Sequence, residues 1–291
     1  MTNLVLQESF KDMDVLTHHL NISTMSITCM IIPSGNKLDL LSIESQFSLD
    51  DFFIMIKSDS VFMWDKREQI LKKMIKKKSF HNQLTLVYKY SDKIFINLKV
   101  FTNGSVQVTG CKNILHFTES LQNLINKIYP YVLRELKISQ EKINLINCTY
   151  HVKFNINRKK FYKLFSKMPI CLPACLNHQA TVLTKSEVTC RYSPEIHAAL
   201  NIKYKHSDFK KHVTVFIFQT GNIIIAGGNS IQQIILTKNI IDHIMYCFFD
   251  KIVKKDVEKA INLKDINSRL EKEYGTMTVK DFLDLNDSYS E

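Results

Sequence analysis

Apolar and polar positions alternate along two stretches of the chain that are near copies of each other. The shared positions are one Phe, one Gly and two branched residues: Phe101, Gly104, Val106 and Val108 in the first copy, and Phe218, Gly221, Ile223 and Ile225 in the second. The offset is 218 − 101 = 117 residues in a chain of 291. An alternation with a period of two predicts strands, and Gly supplies the positive φ that a tight turn needs. The sequence therefore predicts a duplicated half-domain.

The residues around each copy predict the same order of elements: a strand, a helix, antiparallel strands and a long helix. The predicted strands are 20–32, 83–90, 94–101, 143–156, 187–192, 198–205 and 212–219. The predicted helical segments are 38–57, 66–78, 114–136, one that starts at 157, and 231–253. We expect an α+β fold of two repeats, 18–139 and 140–262. An N-terminal extension (1–17) and an acidic-ended C-terminal tail (263–291) flank them.

The charge balance favours a polyanionic partner. The chain has 39 Lys and Arg against 28 Asp and Glu, a net charge of +11. Such an excess indicates nucleic acid, although a solubilising surface is the alternative. Residues 66–78 are the most basic segment and read as an amphipathic helix with lysines toward solvent.

Several classes of protein are disfavoured by what the sequence lacks. The N-terminus has no signal-peptide pattern, and no apolar run reaches the length of a membrane span. Seven cysteines without a tight framework indicate free thiols in a reducing, intracellular compartment. A zinc site of Cys171, Cys175, His178 and Cys190 has feasible spacing, but Pro173 and apolar flanks fit a packed loop as well. No catalytic motif is present, so we expect neither an enzyme nor a cofactor or metal.

The duplicated hairpin resembles that of the TATA-box-binding protein family, which reads roughly Leu-Ile-Phe-x-Ser-Gly-Lys-Val-Val-x-Thr-Gly-Ala-Lys. Three further segments match family motifs: Ile128–Pro130, Val152–Phe154 and Tyr192–His197. The resemblance spans about residues 18–255. In its first-half insertions and its composition rich in Lys, Ile and Asn, the chain resembles the TATA-binding-like proteins of large DNA viruses more than the cellular protein.

This resemblance implies one curved antiparallel sheet, a saddle, with long helices on its convex face and the DNA minor groove on its concave face. It implies a monomeric transcription initiation factor that binds and bends double-stranded A/T-rich promoter DNA. Its expected partners are a factor-IIB-like protein and RNA polymerase, in the nucleus or a cytoplasmic viral factory. The alternative is a scaffold or decoy that keeps the fold and has lost DNA binding.

The resemblance also assigns roles to residues. Phe101 and Phe218 match one member of each pair of rings that the family inserts between base steps, and Phe80 matches the first half's other ring. The second half's other ring falls on His197, which is a departure, because imidazole is smaller and polar and changes its charge near neutral pH.

The remaining matches concern bases, phosphates and a protein partner. Asn21 matches a residue that reaches the central base edges, and Thr109 matches a groove-contacting Thr. Their second-half counterparts are Leu145 and Ala226, which places these contacts in doubt there. Residues proposed for the sheet surface are Val106, Val108, Ile223 and Ile225, with the choice between surface and core left open. Lys77 and Lys78 suit phosphate contacts, and Glu195 matches the place where the family meets its factor-IIB-like partner.

Overall fold

A computed structural model describes residues 20–66, 82–132, 135–167, 170–172, 181–183, 188–206 and 208–254. The predicted extension (1–17), the tail (263–291) and all of the basic segment after Lys66 lie outside the described residues. Two compact units divide the chain. The first comprises the described parts of Met1–Thr149 and Ala226–Ile234, and the second those of Tyr150–Ile225 and Ile235–Glu291.

The first half of the chain follows the predicted order of elements. Its strands are β1 (Asn21–Met30), β2 (Phe53–Lys57), β3 (Phe62–Trp64), β4 (Gln83–Ser91), β5 (Ile94–Phe101) and β6 (Ser105–Cys111). Its helices are α1 (Leu40–Gln46) and α2 (Ile114–Ile128), and a 3-10 turn at Tyr129–Tyr131 follows α2.

The second half repeats that order. Its strands are β7 (Ser139–His151), β8 (Ile170–Leu172), β9 (Thr181–Leu183), β10 (Val188–Arg191), β11 (Leu200–Tyr204), β12 (Val213–Ile217) and β13 (Asn222–Gly228). Its helices are α3 (Arg158–Lys167), which follows β7, and α4 (Ile231–Cys247) with the short α5 (Phe249–Ile252), which follow β13.

Eleven of the described strands form one sheet. Their order is β10-β11-β12-β13-β7-β1-β6-β5-β4-β2-β3, and β8 pairs only with β9 in a second, two-stranded sheet. The registered pairs are antiparallel, and β10 and β3 lie at opposite edges, so the sheet is not closed. The prediction of a mixed α/β chain built on a single large antiparallel sheet is therefore confirmed.

Helix α2 supplies the apolar layer that covers the sheet of the first unit. It contacts β4, β5 and β6, and its buried face includes Phe117, Leu121 and Leu124. The strands meet it with branched side chains such as Leu98 and Val108, both fully buried. Burial of this apolar area is the main stabilising contribution to the unit.

The two predicted turns have the same main-chain geometry. Gly104 has φ +77° and Gly221 has φ +87°. In each turn the Gly amide donates to the preceding Phe carbonyl, at 2.9 Å from Gly104 to Phe101 and 3.2 Å from Gly221 to Phe218. The requirement for Gly at both places is therefore confirmed.

The long helices of the two halves begin with the same capping arrangement built from different residues. In α2, Asn113 Oδ1 accepts from the His116 amide at 2.9 Å, and His116 Nδ1 accepts from the amide before the cap at 3.1 Å. In α4, Ser230 Oγ accepts from the Gln233 amide at 3.2 Å, and Gln233 Oε1 accepts from the amide before its cap at 3.0 Å. Both are reciprocal caps that satisfy otherwise unpaired amides.

Three predicted helices have different bounds. Helix α2 ends at Ile128 rather than at 136, because Pro130 in the following 3-10 turn has no amide hydrogen to continue the helix. In the segment 38–57, only Leu40–Gln46 is helical. The last five residues of that segment, Phe53–Lys57, form the almost wholly buried strand β2. The closing helix predicted for 231–253 is two helices, α4 and α5.

Stability should depend on the protonation of His116. Burial lowers the pKa of His116 below its usual 6.5, nearby Lys112 lowers it further, and Glu119 opposes this. Because the folded pKa is depressed, stability is full above about pH 6.5 and is lost as the pH falls through the folded pKa. We expect His116→Gln, which copies the Gln233 cap, to flatten the pH dependence in urea unfolding between roughly pH 8 and pH 5.

The exposed His212 offers the control. His212→Gln should leave the pH dependence as in the wild type. Parallel pH curves for His116→Gln and the wild type would contradict the role of the buried imidazole. At the upper pH, His116→Gln should lie within about 1 kcal/mol of the wild type, since the cap is retained.

Substitution of the turn glycines should separate backbone strain from steric collision. A Cβ on Gly221 would lie 2.2 Å from the Val152 carbonyl oxygen, whereas a Cβ on Gly35, at φ +88°, would meet no atom within 4 Å. We expect Gly35→Ala to lower the free energy of unfolding by about 1 kcal/mol and Gly221→Ala by about 3 kcal/mol or more. If urea unfolding shows the same loss of free energy of unfolding for both variants, the structure around Gly221 relaxes to remove the collision without a further loss of stability.

Candidate nucleic-acid interface

The sheet of the first unit has one face toward α2 and a second face, which we call the first outer face. One registered row crosses five strands on it: Thr28, Gln107, Lys99, Thr85 and Lys57. The strand residues next to this row, such as Val108 and Leu98, are buried. The first outer face therefore carries polar and basic side chains, and the other face carries the core.

The four branched residues proposed for the DNA surface belong to the core. Val106, Val108, Ile223 and Ile225 are all 0% exposed. The proposal that these side chains contact DNA is therefore wrong. Alternation allows one face of each strand to be apolar, and in both hairpins the apolar face is the one buried in the core.

Phe101 and Thr109 lie on the first outer face. Phe101 pairs with Gln83, two residues along β5 from Lys99, and follows the buried Val100. Thr109 pairs with Asn97 of β5. Both side chains are partly exposed. The ring matched to a base-step wedge and the hydroxyl matched to a groove contact thus share one surface.

Asn21 is exposed at the first position of β1 and pairs with Thr149 of β7. The two asparagines near its second-half counterpart have structural partners. Asn144 Nδ2 donates to Thr28 Oγ1 at 3.0 Å, and Asn147 Oδ1 accepts from the Gly227 amide at 3.0 Å. This hydrogen bond involves Thr28, which belongs to the first outer face. The pair was not predicted from the sequence, although the alternation of β1 could have indicated Thr28.

The second unit carries a cluster of three rings opposite its core. Phe216 lies between the buried Val215 and Ile217, so it points away from the core, and Phe218 follows with the same alternation. The exposed His197 lies with its ring 5.5 Å from that of Phe216 and 6.3 Å from that of Phe218. The structure thus brings together His197 and Phe218 and adds Phe216, which the same alternation could have indicated.

The hydrogen bonding of His197 defines which ring nitrogen stays available. Its Nδ1 accepts from the Ala199 amide at 3.1 Å. Because Nδ1 accepts this hydrogen bond, Nε2 carries the ring hydrogen and can donate it to a bound molecule. Orientation by a main-chain amide holds the imidazole beside the two phenylalanine rings.

Basic residues occur on both outer faces. In the second unit, the row Thr189, Lys203 and Thr214 and the row Arg191, Asn201 and Phe216 form what we call the second outer face, which also includes Phe218 and His197. None of the registered positions named for the two outer faces is Asp or Glu. The amines and hydroxyls at these registered positions are compatible with an anionic ligand.

An apolar cluster at the edge of the first outer face was not predicted. Met55 and Val87 are almost fully buried there beneath Phe62, Trp64 and Phe95. The Phe62 and Trp64 rings stack at 4.9 Å, and Lys57 Nζ lies 5.6 Å from the centre of the Phe62 ring. This cluster holds the added edge strand β3 against β2, and it covers that end of the first outer face.

The other predicted site residues lie outside the two outer faces or outside the described residues. Glu195 is exposed in the turn between β10 and β11, beside Ile196, which is 84% exposed. Phe80, Lys77 and Lys78 lie outside the described residues, as do Cys175 and His178 of the zinc alternative. Among the described residues, no group of three or more His, Cys, Asp or Glu side chains could hold a metal ion.

Five of the described cysteines are free thiols: Cys29, Cys111, Cys148, Cys190 and Cys247. Burial raises the pKa of the first four to about 12, so these thiols stay protonated and unreactive at neutral pH. Within the described part of the chain, every helix is too short or too polar to cross a bilayer.

Comparison with known proteins supports the resemblance. No family model matches the chain. The chain is 29% identical over 263 residues to a protein of Acanthamoeba polyphaga mimivirus described as TATA-box-binding protein-like, covering 81% of this chain and 67% of the relative. Among solved structures, Methanococcus jannaschii TBP matches with a TM-score of 0.49 and 18% identity, over 78% of this chain and 99% of that chain. The mimivirus relative confirms the predicted similarity to viral TATA-binding-like proteins.

Proposed function

We propose that this TATA-binding-like chain is a transcription initiation factor that binds A/T-rich promoter DNA through the minor groove and bends it. The observation that carries the proposal is the equivalent placement of Phe101 and Phe218. Each ring precedes a left-handed Gly in a duplicated hairpin and lies opposite the core, partly exposed. Rings presented this way can enter between base steps, unstack them and kink the duplex.

The composition of the two outer faces supports minor-groove binding. Hydroxyls, amides and rings dominate, and the charged residues at the registered positions are basic, such as Lys99 and Lys203. The minor groove offers few polar groups that distinguish bases, so small polar and apolar contacts suit it. Lysine and arginine near the edges of such a surface supply phosphate contacts and a salt-dependent affinity.

In this proposal the single antiparallel sheet is curved into a saddle, with α2 and α4 on the convex face and DNA on the concave face. Asn21 and Thr109 contact base edges, and Lys77 and Lys78 contact phosphates. The exposed Glu195 contacts a factor-IIB-like protein, which recruits RNA polymerase. The factor acts as a monomer, without a cofactor and without enzymatic activity, in the nucleus or viral factory of an infected cell.

A scaffold or decoy without DNA binding is the second candidate. His197, Leu145 and Ala226 replace a ring, an amide and a hydroxyl that the family uses on DNA. The apolar cluster around Phe62 and Trp64 further reduces the open area of the first outer face. These observations concern parts of both faces, whereas Phe101 and Phe218 keep the wedge positions in both halves.

Removal of the rings should distinguish the two candidates. We expect Phe101→Ala and Phe218→Ala each to weaken binding to an A/T-rich duplex tenfold to hundredfold, about 1.4–2.8 kcal/mol, because the unstacked step loses its ring. Anisotropy titration measures the affinity, and energy transfer between dyes at the duplex ends measures the bend. Both variants should show reduced transfer at saturating protein.

Tyr246→Ala is the matched control, because Tyr246 is a 79% exposed ring on α4 and belongs to neither of the strand rows that define the outer faces. It should bind and bend as the wild type does. Far-UV circular dichroism verifies that each variant is folded. If both Phe variants bind as tightly as the control, or if the wild type binds no duplex, the scaffold is the better account.

A further inference from the structure

Helices α1 and α3 occupy equivalent places in the two repeats. Before α1, the Leu38 amide donates to the Thr102 carbonyl of the first hairpin at 2.7 Å, and before α3, the Ile156 amide donates to the Gln219 carbonyl of the second at 2.8 Å. A capping side chain follows at once in both cases. Asp39 Oδ1 accepts amides of α1, and Asn157 Oδ1 accepts the Lys160 amide of α3.

The equivalent helices carry opposite charges. Helix α1 has the sequence LLSIESQ, with Glu44 and the acidic cap Asp39 and no basic residue. Helix α3 has the sequence RKKFYKLFSK, with five basic residues and no acidic one. Duplication of the backbone does not require this difference, because both helices are preceded by the same hairpin bond and begin with a side-chain cap.

Packing does not require the basic residues of α3 either. Phe161 and Phe165 bury the inner side of the helix, whereas Lys159, Lys160 and Lys163 are exposed. None of the described carboxylates forms an ion pair with these three amines. Like charges three and four residues apart weaken a helix by about 0.2–0.5 kcal/mol per pair, and bases in the first turn oppose the helix dipole. The charges therefore destabilise the free helix and suit a ligand.

Arg158 connects this surface to the second outer face. Its Nη2 donates to Gln219 Oε1 at 3.2 Å, and its guanidinium carbon lies 5.6 Å from the centre of the Tyr192 ring. Gln219 directly follows Phe218, the ring proposed to enter DNA. The stacked guanidinium has five donors and uses one in this bond, so it is held in position with donors left for an anion.

We propose that Arg158, Lys159, Lys160 and Lys163, the α3 basic surface, bind phosphates of the DNA that continues past the site on the side of the second unit. The proposal rests on the DNA binding proposed above. Duplex DNA is favoured over an acidic protein because the surface begins at the hairpin that presents Phe218. Asp39 and Glu44 leave α1 without the amines for a corresponding contact in the first half.

The test compares two lysine-to-glutamine variants of equal net charge on two DNA lengths. One variant carries Lys159→Gln, Lys160→Gln and Lys163→Gln. The control variant carries Lys93→Gln, Lys137→Gln and Lys210→Gln, three exposed lysines outside α3. One A/T-rich duplex has about one helical turn and the other about three turns.

We expect the α3 variant to bind the long duplex at least tenfold more weakly than the control variant does. The slope of log affinity against log salt should fall by about 2 to 3, as for the loss of that many phosphate contacts. On the short duplex the two variants should bind alike. Circular dichroism should show α3 intact, since removal of like charges does not weaken a helix.

Three outcomes overturn the inference. Equal binding of the two variants to both duplexes would show that α3 contacts no DNA and leave the surface to an acidic protein. An equal loss on the short and long duplexes would place the lysines within the site rather than beside it. Failure of the wild type to bind either duplex would refute the proposed function itself, so the two failures are distinguishable.

Discussion

The main-chain bonds around Gly104 and Gly221 set the register of both halves. In each turn the left-handed Gly donates to a Phe carbonyl, while its own carbonyl accepts from the chain that leaves the first strand of the half, at 3.0 Å from Ile31 and 2.9 Å from Val152. A residue with a Cβ would collide at either Gly. Because side chains alternate along a strand, this register assigns the ring before each turn to the outer face and the branched residues after it to the core.

On this duplicated backbone, the side chains of the two halves have diverged by position. At one pair of equivalent positions, 117 residues apart, Lys99 stands on the first outer face and Phe216 on the second. In the cap of the long helix, the first half has the imidazole of His116 where the second half has the amide of Gln233. Helix α1 of the first half is acidic, whereas the equivalent α3 of the second half is basic. The first outer face therefore presents more charge beside its ring, and the second presents more aromatic surface together with a basic helix.

Much of the fold follows from the sequence because its signals are local. Alternation and turn glycines predicted β4, β5, β6, β12 and β13 within a few residues. The two-fold repeat required only the offset of 117 residues. The choice of face did not follow, because a period of two is the same for either face, and only the burial of one face in the folded core decides it.

The remaining differences come from tertiary packing. Residues Phe53–Lys57 lie in a segment with helical spacing, yet pairing with β3 and β4 makes them a strand. The cluster brings Phe62 and Trp64 of β3 together with Phe95 of β5, two strands that are distant in sequence, so no local pattern reveals it. The outward positions of Phe216 and Thr28 could be predicted from the alternation once the core face was known.

The central claim is that the rings of Phe101 and Phe218 enter the base stack. The most direct measurement places the fluorescent base 2-aminopurine at successive steps of an A/T-rich duplex and records its emission, which rises when the base is unstacked. The account predicts a rise at two separate steps with the wild-type protein, one lost with Phe101→Ala and the other with Phe218→Ala. Saturating binding without a rise at any step, or rises that persist in both variants, would contradict it.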